Sequence, residues 1–166
     1  MTHLLRIIKK NAKIADTYHK VCLEVTHHGP YLDTPTLFTE VGSTKDEWNK
    51  KEPAKIIAKS LLESLEKDLT EDTTILVGIG GGHYAPRFTD LVFQKKVAFG
   101  HMIPKYQIKE DGIEGEMIKK ALDATPDAKG VYIHRKSFKK SQAKAYKNWC
   151  EERNINIISS KDLEDL

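Results

Sequence analysis

Four of the seven histidines in this 166-residue chain fall at or near predicted strand ends, and histidine is the commonest metal ligand in proteins. The four are His27 and His28 after one strand, His83 after three glycines, and His101 within a further strand. Neutral imidazoles from different strand ends can converge on one ion. Carboxylate oxygen could come from Glu24, Asp33 and Glu40. A zinc ion held in this way lowers the pKa of its bound water towards neutrality, and the chemistry would then be hydrolysis of an ester or an amide.

Spacing alone does not make these histidines a metal site. The chain has no H-E-x-x-H motif and no paired cysteines to fix the ligand geometry. Adjacent strand residues point to opposite faces, so His27 and His28 can share an ion only if the chain bends at Gly29-Pro30. The alternative is that all four are structural histidines. The same structural interpretation applies to the remaining three, His3, His19 and His134.

A glycine turn follows the most strand-like segment of the chain. Residues 73–79 form a continuous apolar run rich in branched side chains, which predicts a strand buried on both faces. Gly80, Gly81 and Gly82 come next, and glycine allows a positive φ and a close approach to a ligand. Open α/β sheets bind ligands at the carboxyl ends of their strands. The turn is therefore predicted to bind substrate; the alternative is a connector with incidental polar residues.

The residues after this turn also permit chemistry without a metal. His83 could act as a general base that activates water, while glycine N–H groups stabilise the oxyanion that forms. Arg87 carries a planar guanidinium that suits a phosphate or a carboxylate, although a surface ion pair would explain it equally well. The candidates for orienting the substrate are Thr26, Thr39 and Tyr84.

The order of predicted elements favours an α/β fold. Helical periodicity is found over residues 4–19, from Pro53 to Leu69, and over 88–95, 114–124 and 138–153; strand patterns cover 21–26, 36–41, 73–79, 97–103, 131–134 and 155–158. Thr44 and Glu47 form a plausible capping box. Alternating strands and helices predict a three-layer α/β/α arrangement with a mainly parallel sheet, which an antiparallel pairing of the first two strands would make mixed. Without a repeat or a composition break, residues 1–166 are predicted to form a single domain.

Composition places the chain among soluble globular proteins. Hydrophobic residues make up 39% and charged residues 31% of the sequence. No apolar stretch approaches the roughly 20 residues that a membrane crossing requires, and residues 4–10 are too charged for a secretory signal, so we expect a cytoplasmic protein. Cys22 and Cys150 lack a C-x-x-C context and are interpreted as small buried hydrophobic residues.

Positive charge is concentrated in one stretch near the carboxyl end. No acidic residue occurs between Asp127 and Glu151. On a helix, spacings of four, four and three would align Lys136, Lys140, Lys144 and Lys147 on one face. Lys139 lies in the same stretch. This stripe favours an RNA or phosphate partner, and the alternative is an ordinary solvated helix surface.

Several separated blocks of sequence resemble one known family. The blocks are THHGP at 26–30, LFTEVGST at 37–44 with Glu47-Trp48, GGGHYAPR at 80–87, and Gly100-His101. Together, in this order, they are similar to the archaeal-type D-aminoacyl-tRNA deacylases, which also occur in plants. The similarity runs from about residue 21 to the end.

The resemblance implies an activity and a fold. Members hydrolyse the ester that links a D-amino acid such as D-tyrosine to tRNA, releasing tRNA and the free amino acid in a translation quality-control reaction. They are described as zinc-dependent, and their fold resembles that of peptidyl-tRNA hydrolase and purine nucleoside phosphorylase. The basic stripe would then contact the phosphates of tRNA.

Carried onto this chain, the resemblance implies a set of site residues. The candidate zinc ligands are His27, His28, His83 and His101. The candidate catalytic residues are His83, His28 and Glu40. The substrate-binding candidates are Gly80, Gly81, Gly82, Tyr84, Arg87 and Thr39, and the tRNA-binding candidates are Lys136, Lys139, Lys140, Lys144 and Lys147.

Family members carry a sizeable segment ahead of the part matched here. We therefore expect this chain to be the larger, carboxyl-terminal part of a deacylase domain, completed by self-association or by a partner chain. Two rival functions follow from the same residues: a non-catalytic tRNA- or RNA-binding remnant, and a small-molecule metallohydrolase.

Overall fold

The computed structural model describes residues 1–30, 32–66, 72–108 and 115–166, which fall into two units. The helical unit comprises Met1–Val21 and His28–Thr70, and the sheet unit comprises Cys22–His27 and Glu71–Leu166. The single domain predicted for residues 1–166 stays a prediction.

The described residues of the helical unit form three helices: α1 (Thr2–Ile14), α2 (Lys45–Trp48) and α3 (Lys51–Leu65). α1 ends five residues before the predicted boundary, and Asp16 just beyond it adopts a left-handed φ of 51°. α1 packs on α3, where the Asn11 amide donates a buried 3.0 Å hydrogen bond to the Ser60 hydroxyl. The predicted helical periodicity of α3 is confirmed up to Leu65, and Leu69 lies outside the described residues.

The predicted hairpin is wrong, because neither of its strands forms in the described part of the chain. The period-two pattern of residues 21–26 is still visible as burial, with Leu23 and Val25 only 4% and 3% exposed. The N–H groups of these two residues donate to the Thr89 hydroxyl and to the carbonyl of His83 rather than to a second strand. Residues 36–41 have no strand structure and are mostly exposed.

The predicted capping box does not form either, because the Glu47 carboxylate has other partners. α2 begins after Thr44 with no side-chain cap. Glu47 instead accepts hydrogen bonds from the Tyr18 hydroxyl at 2.7 Å and from Lys50 Nζ at 2.8 Å, with His19 Nε2 also at 2.8 Å. Lys50 also donates to the Tyr18 hydroxyl. The hydrogen bond from Lys50, and then that from Tyr18, lowers the pKa of Glu47 to about 2.

Glu47→Gln is expected to lower the thermal midpoint of unfolding at neutral pH. Because the folded-state pKa of Glu47 lies below its ordinary value of 4.5, the stabilisation is present above that value and is lost as the pH falls towards about 2. The difference in midpoint between wild type and variant should therefore shrink over this window. Thermal melts followed by circular dichroism at neutral pH and across the window measure it; a difference independent of pH would contradict this account.

The sheet unit is built on three parallel strands: β1 (Thr74–Ile79), β2 (Val97–Ile103) and β3 (Val131–Ile133). Their order is β2-β1-β3, so the central strand is the one that leads into the glycines. The predicted strand at 155–158 is reduced to a single parallel bridge between Val131 and Ile157. An isolated antiparallel bridge joins Lys95 and Asp165.

Helices cover both faces of this sheet: α4 (Pro86–Gln94), α5 (Gly115–Asp123) and α6 (Lys140–Glu151). Val77 of β1 belongs to a buried cluster with Ile118 of α5 and Tyr146 of α6. The next residue, Gly78, faces α4, and a Cβ there would lie 2.9 Å from the Phe88 ring. Because neighbouring strand residues point to opposite faces, α4 covers one face while α5 and α6 cover the other. The predicted α/β class with three layers is confirmed, and residue 114 of the predicted fourth helix lies outside the described residues.

Among the residues that the structure describes, no helix is both long enough and apolar enough to cross a lipid bilayer.

Candidate active site

The extended segment at residues 22–27 is held against the carboxyl end of the sheet. The N–H of Val25 donates to the carbonyl of His83 at 2.9 Å, and the N–H of Thr26 donates to the carbonyl of Met102 at 3.1 Å. Leu23 and Val25 anchor the segment in the core. With these two side chains directed inward, Glu24 and His27 lie beside His83, the residue that follows the glycines.

Glu24, His27 and His83 form a cluster at this point. Glu24 Oε2 lies 3.1 Å from His27 Nε2, and Glu24 Oε1 lies 3.5 Å from His83 Nε2. The two imidazole rings stack, with centroids 4.5 Å apart and planes inclined by 13°. The side chains of Glu24, His27 and His83 are 25%, 22% and 41% exposed, so the cluster is partly shielded yet open to solvent.

The cluster has the donor set of a catalytic zinc site. One ligand atom from each of the three residues can be chosen so that all lie within 4.8 Å of one another. Catalytic zinc is typically held by three protein ligands, two histidines and a glutamate being one known set, and a fourth position stays open for water or substrate. Two imidazoles and one carboxylate therefore fit zinc by number and by type. Sequence reasoning named both histidines but did not choose Glu24 from the three candidate carboxylates.

Two tyrosines border His83. The hydroxyl of Tyr106 lies 3.4 Å from His83 Nδ1, on the opposite side of the ring from Glu24, and Tyr84 meets the His83 ring edge-on with centroids 5.0 Å apart. Tyr106 is brought there because the N–H of Lys105 donates to the carbonyl of Gly81. Sequence reasoning missed Tyr106, and its position three residues after β2 was the available signal.

His101 lies beside the segment but its ring contacts Thr26, not the cluster. His101 Nδ1 is 3.1 Å from the Thr26 hydroxyl, and that hydroxyl also accepts a hydrogen bond from the N–H of Met102. The role of His101 as a zinc ligand stays a prediction.

The glycine turn adopts the conformation that its sequence predicts at two of its three positions. Gly80 and Gly81 have φ values of +98° and +84°, which favour glycine strongly. A Cβ on Gly80 would also lie 2.6 Å from the Phe138 ring. The N–H of Gly80 donates to the carbonyl of Ile103, whereas the N–H groups of Gly81 and Gly82 have no acceptor among the described residues. These two N–H groups are available to a ligand.

Arg87 makes no ion pair with any described carboxylate. Its Nε donates a 3.0 Å hydrogen bond to the Tyr132 hydroxyl, and its guanidinium carbon lies 5.9 Å from the centre of that ring. A surface ion pair therefore does not account for Arg87 among these residues.

The remaining predicted site residues belong to the helical unit. His28 stacks on Phe38 with centroids 4.6 Å apart, and its Nε2 lies 3.9 Å from Glu40 Oε2. Thr39 and Glu40 are exposed. The roles of His28 as a zinc ligand and catalytic residue, of Glu40 as a catalytic residue and of Thr39 in substrate binding stay predictions.

The basic stripe is confirmed in part. Lys140, Lys144 and Lys147 lie exposed on α6, whose other side buries Tyr146 and Cys150. Burial raises the pKa of the Cys150 thiol to about 11. The expectation that Lys136 continues the same helix face is wrong, because residues 135–137 form a separate 3-10 turn and Lys139 only caps α6. Phe138, in extended conformation, separates the two elements.

Comparison with known proteins identifies the family. A family model described as D-aminoacyl-tRNA deacylase matches residues 1–158. A D-aminoacyl-tRNA deacylase of Methanothrix thermoacetophila is 35% identical over 164 residues, which cover 98% of this chain and 60% of the relative. That of Methanocaldococcus jannaschii is 41% identical over 131 residues, covering 72% of this chain and 50% of the relative.

A solved structure shows the same fold. The crystal structure of a conserved protein of unknown function, AF0625, superimposes with a TM-score of 0.84 at 28% sequence identity, covering 99% of this chain and 58% of that one. The chain thus spans about half to three fifths of the length of the relatives it matches. By its family match over residues 1–158, the chain belongs to the D-aminoacyl-tRNA deacylase family.

Proposed function

We propose that this chain hydrolyses the ester bond of D-aminoacyl-tRNA and releases free tRNA and the D-amino acid. Family membership supports the reaction, and the cluster of Glu24, His27 and His83 beside the glycine turn is the observation that carries it. The cluster supplies groups that can make water reactive, and the turn supplies N–H donors for the oxyanion of an ester under attack. A cytoplasmic location is part of the proposal, since charged tRNA is used where translation takes place.

Each residue of the cluster would have a separate role in this reaction. Zinc would be held by His27, His83 and the Glu24 carboxylate, and when bound it supplies a Lewis acid and lowers the pKa of its bound water. The Glu24 carboxylate lies near Nε2 of both rings, so the three candidate ligand atoms are close together. The Tyr106 hydroxyl on the other side of His83 limits rotation of that ring. The N–H groups of Gly81 and Gly82 would bind the developing negative charge.

Glu24→Gln is expected to weaken zinc binding by about 100-fold or more, because it replaces the charged ligand of the set with a neutral amide. Competition against a chromogenic chelator measures this affinity without any assay of activity. Glu164→Gln is the matched control, since Glu164 pairs with Lys96 on the surface of the same unit. Equal zinc affinity in wild type and Glu24→Gln would remove the cluster from consideration as a zinc site.

Substitution of lysines on α6 tests the proposal that the chain binds tRNA. Lys140→Ala combined with Lys144→Ala is expected to weaken tRNA binding and to lower the slope of log K against log salt by about two, one unit for each lost phosphate contact. The control pair is Lys55→Ala with Lys59→Ala, which has the same spacing of four on α3 and leaves the charge change equal. Unchanged activity towards charged tRNA in the α6 variant would favour a small-molecule metallohydrolase instead.

A non-catalytic RNA-binding module is the second candidate. The observation that favours it is the row of exposed lysines on α6, Lys140, Lys144 and Lys147. Salt-dependent tRNA binding without ester cleavage would support it. For an active enzyme, the corresponding proposal is that the chain acts together with a second copy or with a partner chain. Cleavage of D-aminoacyl-tRNA by the purified chain alone would show that no partner is needed.

A further inference from the structure

A second group of polar residues lies at the carboxyl end of the sheet, between β1 and β3. Ile79 at the end of β1 is in register with Ile133 at the end of β3. β1 is followed in the sequence by α4 and then by β2, which lies on one side of β1. β3 comes later in the sequence and lies on the other side of β1. Open α/β sheets bind ligands where the strand order reverses in this way. The Glu24, His27 and His83 cluster lies by β2 and the glycine turn, so it does not account for the residues next to β3.

Arg87 is the first of these residues. It lies in the first turn of α4, and its position is fixed by one hydrogen bond to the Tyr132 hydroxyl. Tyr132 is only 7% exposed and is itself held edge-on by Phe88 and Phe99. A guanidinium has five N–H donors, and the described residues take up one of them. The remaining donors form a fork that is held in place without a carboxylate partner.

His134 is the second residue, and its backbone is fixed at the end of β3. Its N–H donates to the carbonyl of Ile79 at 2.8 Å, and its own carbonyl accepts from the N–H and the hydroxyl of Ser137. The ring nitrogen Nδ1 is buried without a hydrogen-bond partner among the described residues, and a Cβ on Gly81 would lie 3.4 Å from it. His134 therefore backs directly onto the glycine turn.

The charged side chains that act on His134, those of Arg87 and Lys136, are both positive. Burial, and then the positive charges of Arg87 and Lys136, lowers the pKa of His134. In the parts of the chain that the structure describes, neither Arg87 nor Lys136 has a carboxylate within ion-pair distance. A half-buried region with uncompensated positive charge and a fixed guanidinium fork suits an anion with several oxygens.

We propose that Arg87, His134 and Lys136 form a phosphate subsite beside the glycine turn. The subsite deepens the proposed function and, in that role, rests on it: it would hold a backbone phosphate of the tRNA end, while the ester lies at the Glu24, His27 and His83 cluster. Arg87 binds two phosphate oxygens through its free N–H groups. His134 donates from Nε2, because Nδ1 is buried against the glycine turn, and Lys136 adds charge from the surface. Tyr132 is a positioning residue that acts through Arg87.

Inorganic phosphate is the probe for this subsite. Titration of the protein with phosphate, followed by the ring signals of His134 in NMR spectra, should give a saturable shift in the wild type. Arg87→Ala should weaken phosphate binding by about tenfold or more, the loss expected for hydrogen bonds to a charged group. Arg153→Ala is the matched control, because Arg153 also lies over an aromatic ring, that of Trp149 at 4.5 Å, but just beyond the end of α6. Phosphate binding that is absent in the wild type, or unchanged in Arg87→Ala, overturns the proposal.

Kinetics link the subsite to the substrate. Arg87→Ala should raise KM for D-tyrosyl-tRNA about tenfold while kcat changes by less than about threefold, since the subsite contacts substrate away from the reacting bond. Tyr132→Phe keeps the buried ring and removes only the hydroxyl, so it should give a smaller rise in KM in a protein with unchanged circular dichroism. A fall in kcat at constant KM contradicts the subsite.

The two proposals fail separately. If the wild type binds phosphate at His134 but does not cleave D-tyrosyl-tRNA, the proposed function fails. The subsite is then tested by the effect of Arg87→Ala on the tRNA dissociation constant instead of on KM. If the wild type cleaves D-tyrosyl-tRNA and Arg87→Ala has the same KM, the function stands and the subsite is wrong.

Discussion

Replacing His83 with alanine is expected to lower kcat for D-tyrosyl-tRNA hydrolysis by about 10²–10⁴-fold, the range typical for the loss of a group that activates water. The dissociation constant of tRNA should change by less than about twofold. The reason is position: His83 Nε2 faces Glu24 and its ring stacks on His27, whereas the predicted tRNA contacts lie on other elements.

His101→Ala is the comparison for this prediction. The His101 ring contacts Thr26 and not the cluster, so we expect a loss in kcat at least about tenfold smaller than that of His83→Ala. Single-turnover hydrolysis and filter binding on the same preparations separate chemistry from affinity. Equal losses of turnover and of tRNA affinity in His83→Ala would argue against a catalytic role.

Gly80→Ala is expected to destabilise the protein by about 2–5 kcal/mol, combining backbone strain at a positive φ with overpacking. The new Cβ would collide with the Ser137 hydroxyl and lie 2.6 Å from the Phe138 ring, at a φ of +98°. Both neighbours belong to the segment that links β3 to α6, so a shift there would also disturb His134. Urea denaturation followed by circular dichroism measures the free energy of unfolding.

Gly82→Ala provides the matched control within the same turn. A Cβ on Gly82 would meet nothing within 4 Å, and its φ is not positive. Its free energy of unfolding should therefore stay within about 0.5 kcal/mol of the wild type. Similar destabilisation by both substitutions would show that the turn does not constrain the fold in the way described.

The strands and helices of the sheet unit were predictable because their patterns are long and consistent. Residues 73–79 and 97–103 are mostly apolar stretches, and both became strands with almost the predicted bounds. The hairpin was not predictable, because residues 21–26 satisfy their hydrogen bonds through distant groups such as the Thr89 hydroxyl. A strand pattern reports which side chains are buried, but it does not report what the backbone pairs with.

The candidate site was predictable in part for a related reason. His27 and His83 follow predicted strands, so their meeting at one sheet edge could be anticipated. The choice of Glu24 could not, since in a regular strand Glu24 and His27 point to opposite faces. A bend at Thr26 brings them to the same side. For Glu47, the sequence spacing matched a capping box, but the carboxylate accepts hydrogen bonds from Tyr18 and Lys50 instead.

The resemblance to the deacylase family, read from separated blocks of sequence, is confirmed by the family match. The blocks specify the family more sharply than the fold does, since α/β folds host many functions.

The rate at which the purified chain deacylates matched D- and L-tyrosyl-tRNA tests the central claim most directly. If the cluster beside the glycine turn makes water reactive towards the ester of D-aminoacyl-tRNA, the D-ester should be cleaved well above its spontaneous rate, and the L-ester should be spared. Spontaneous rates for both esters, measured with protein that binds tRNA, would contradict the assignment of the cluster as an active site.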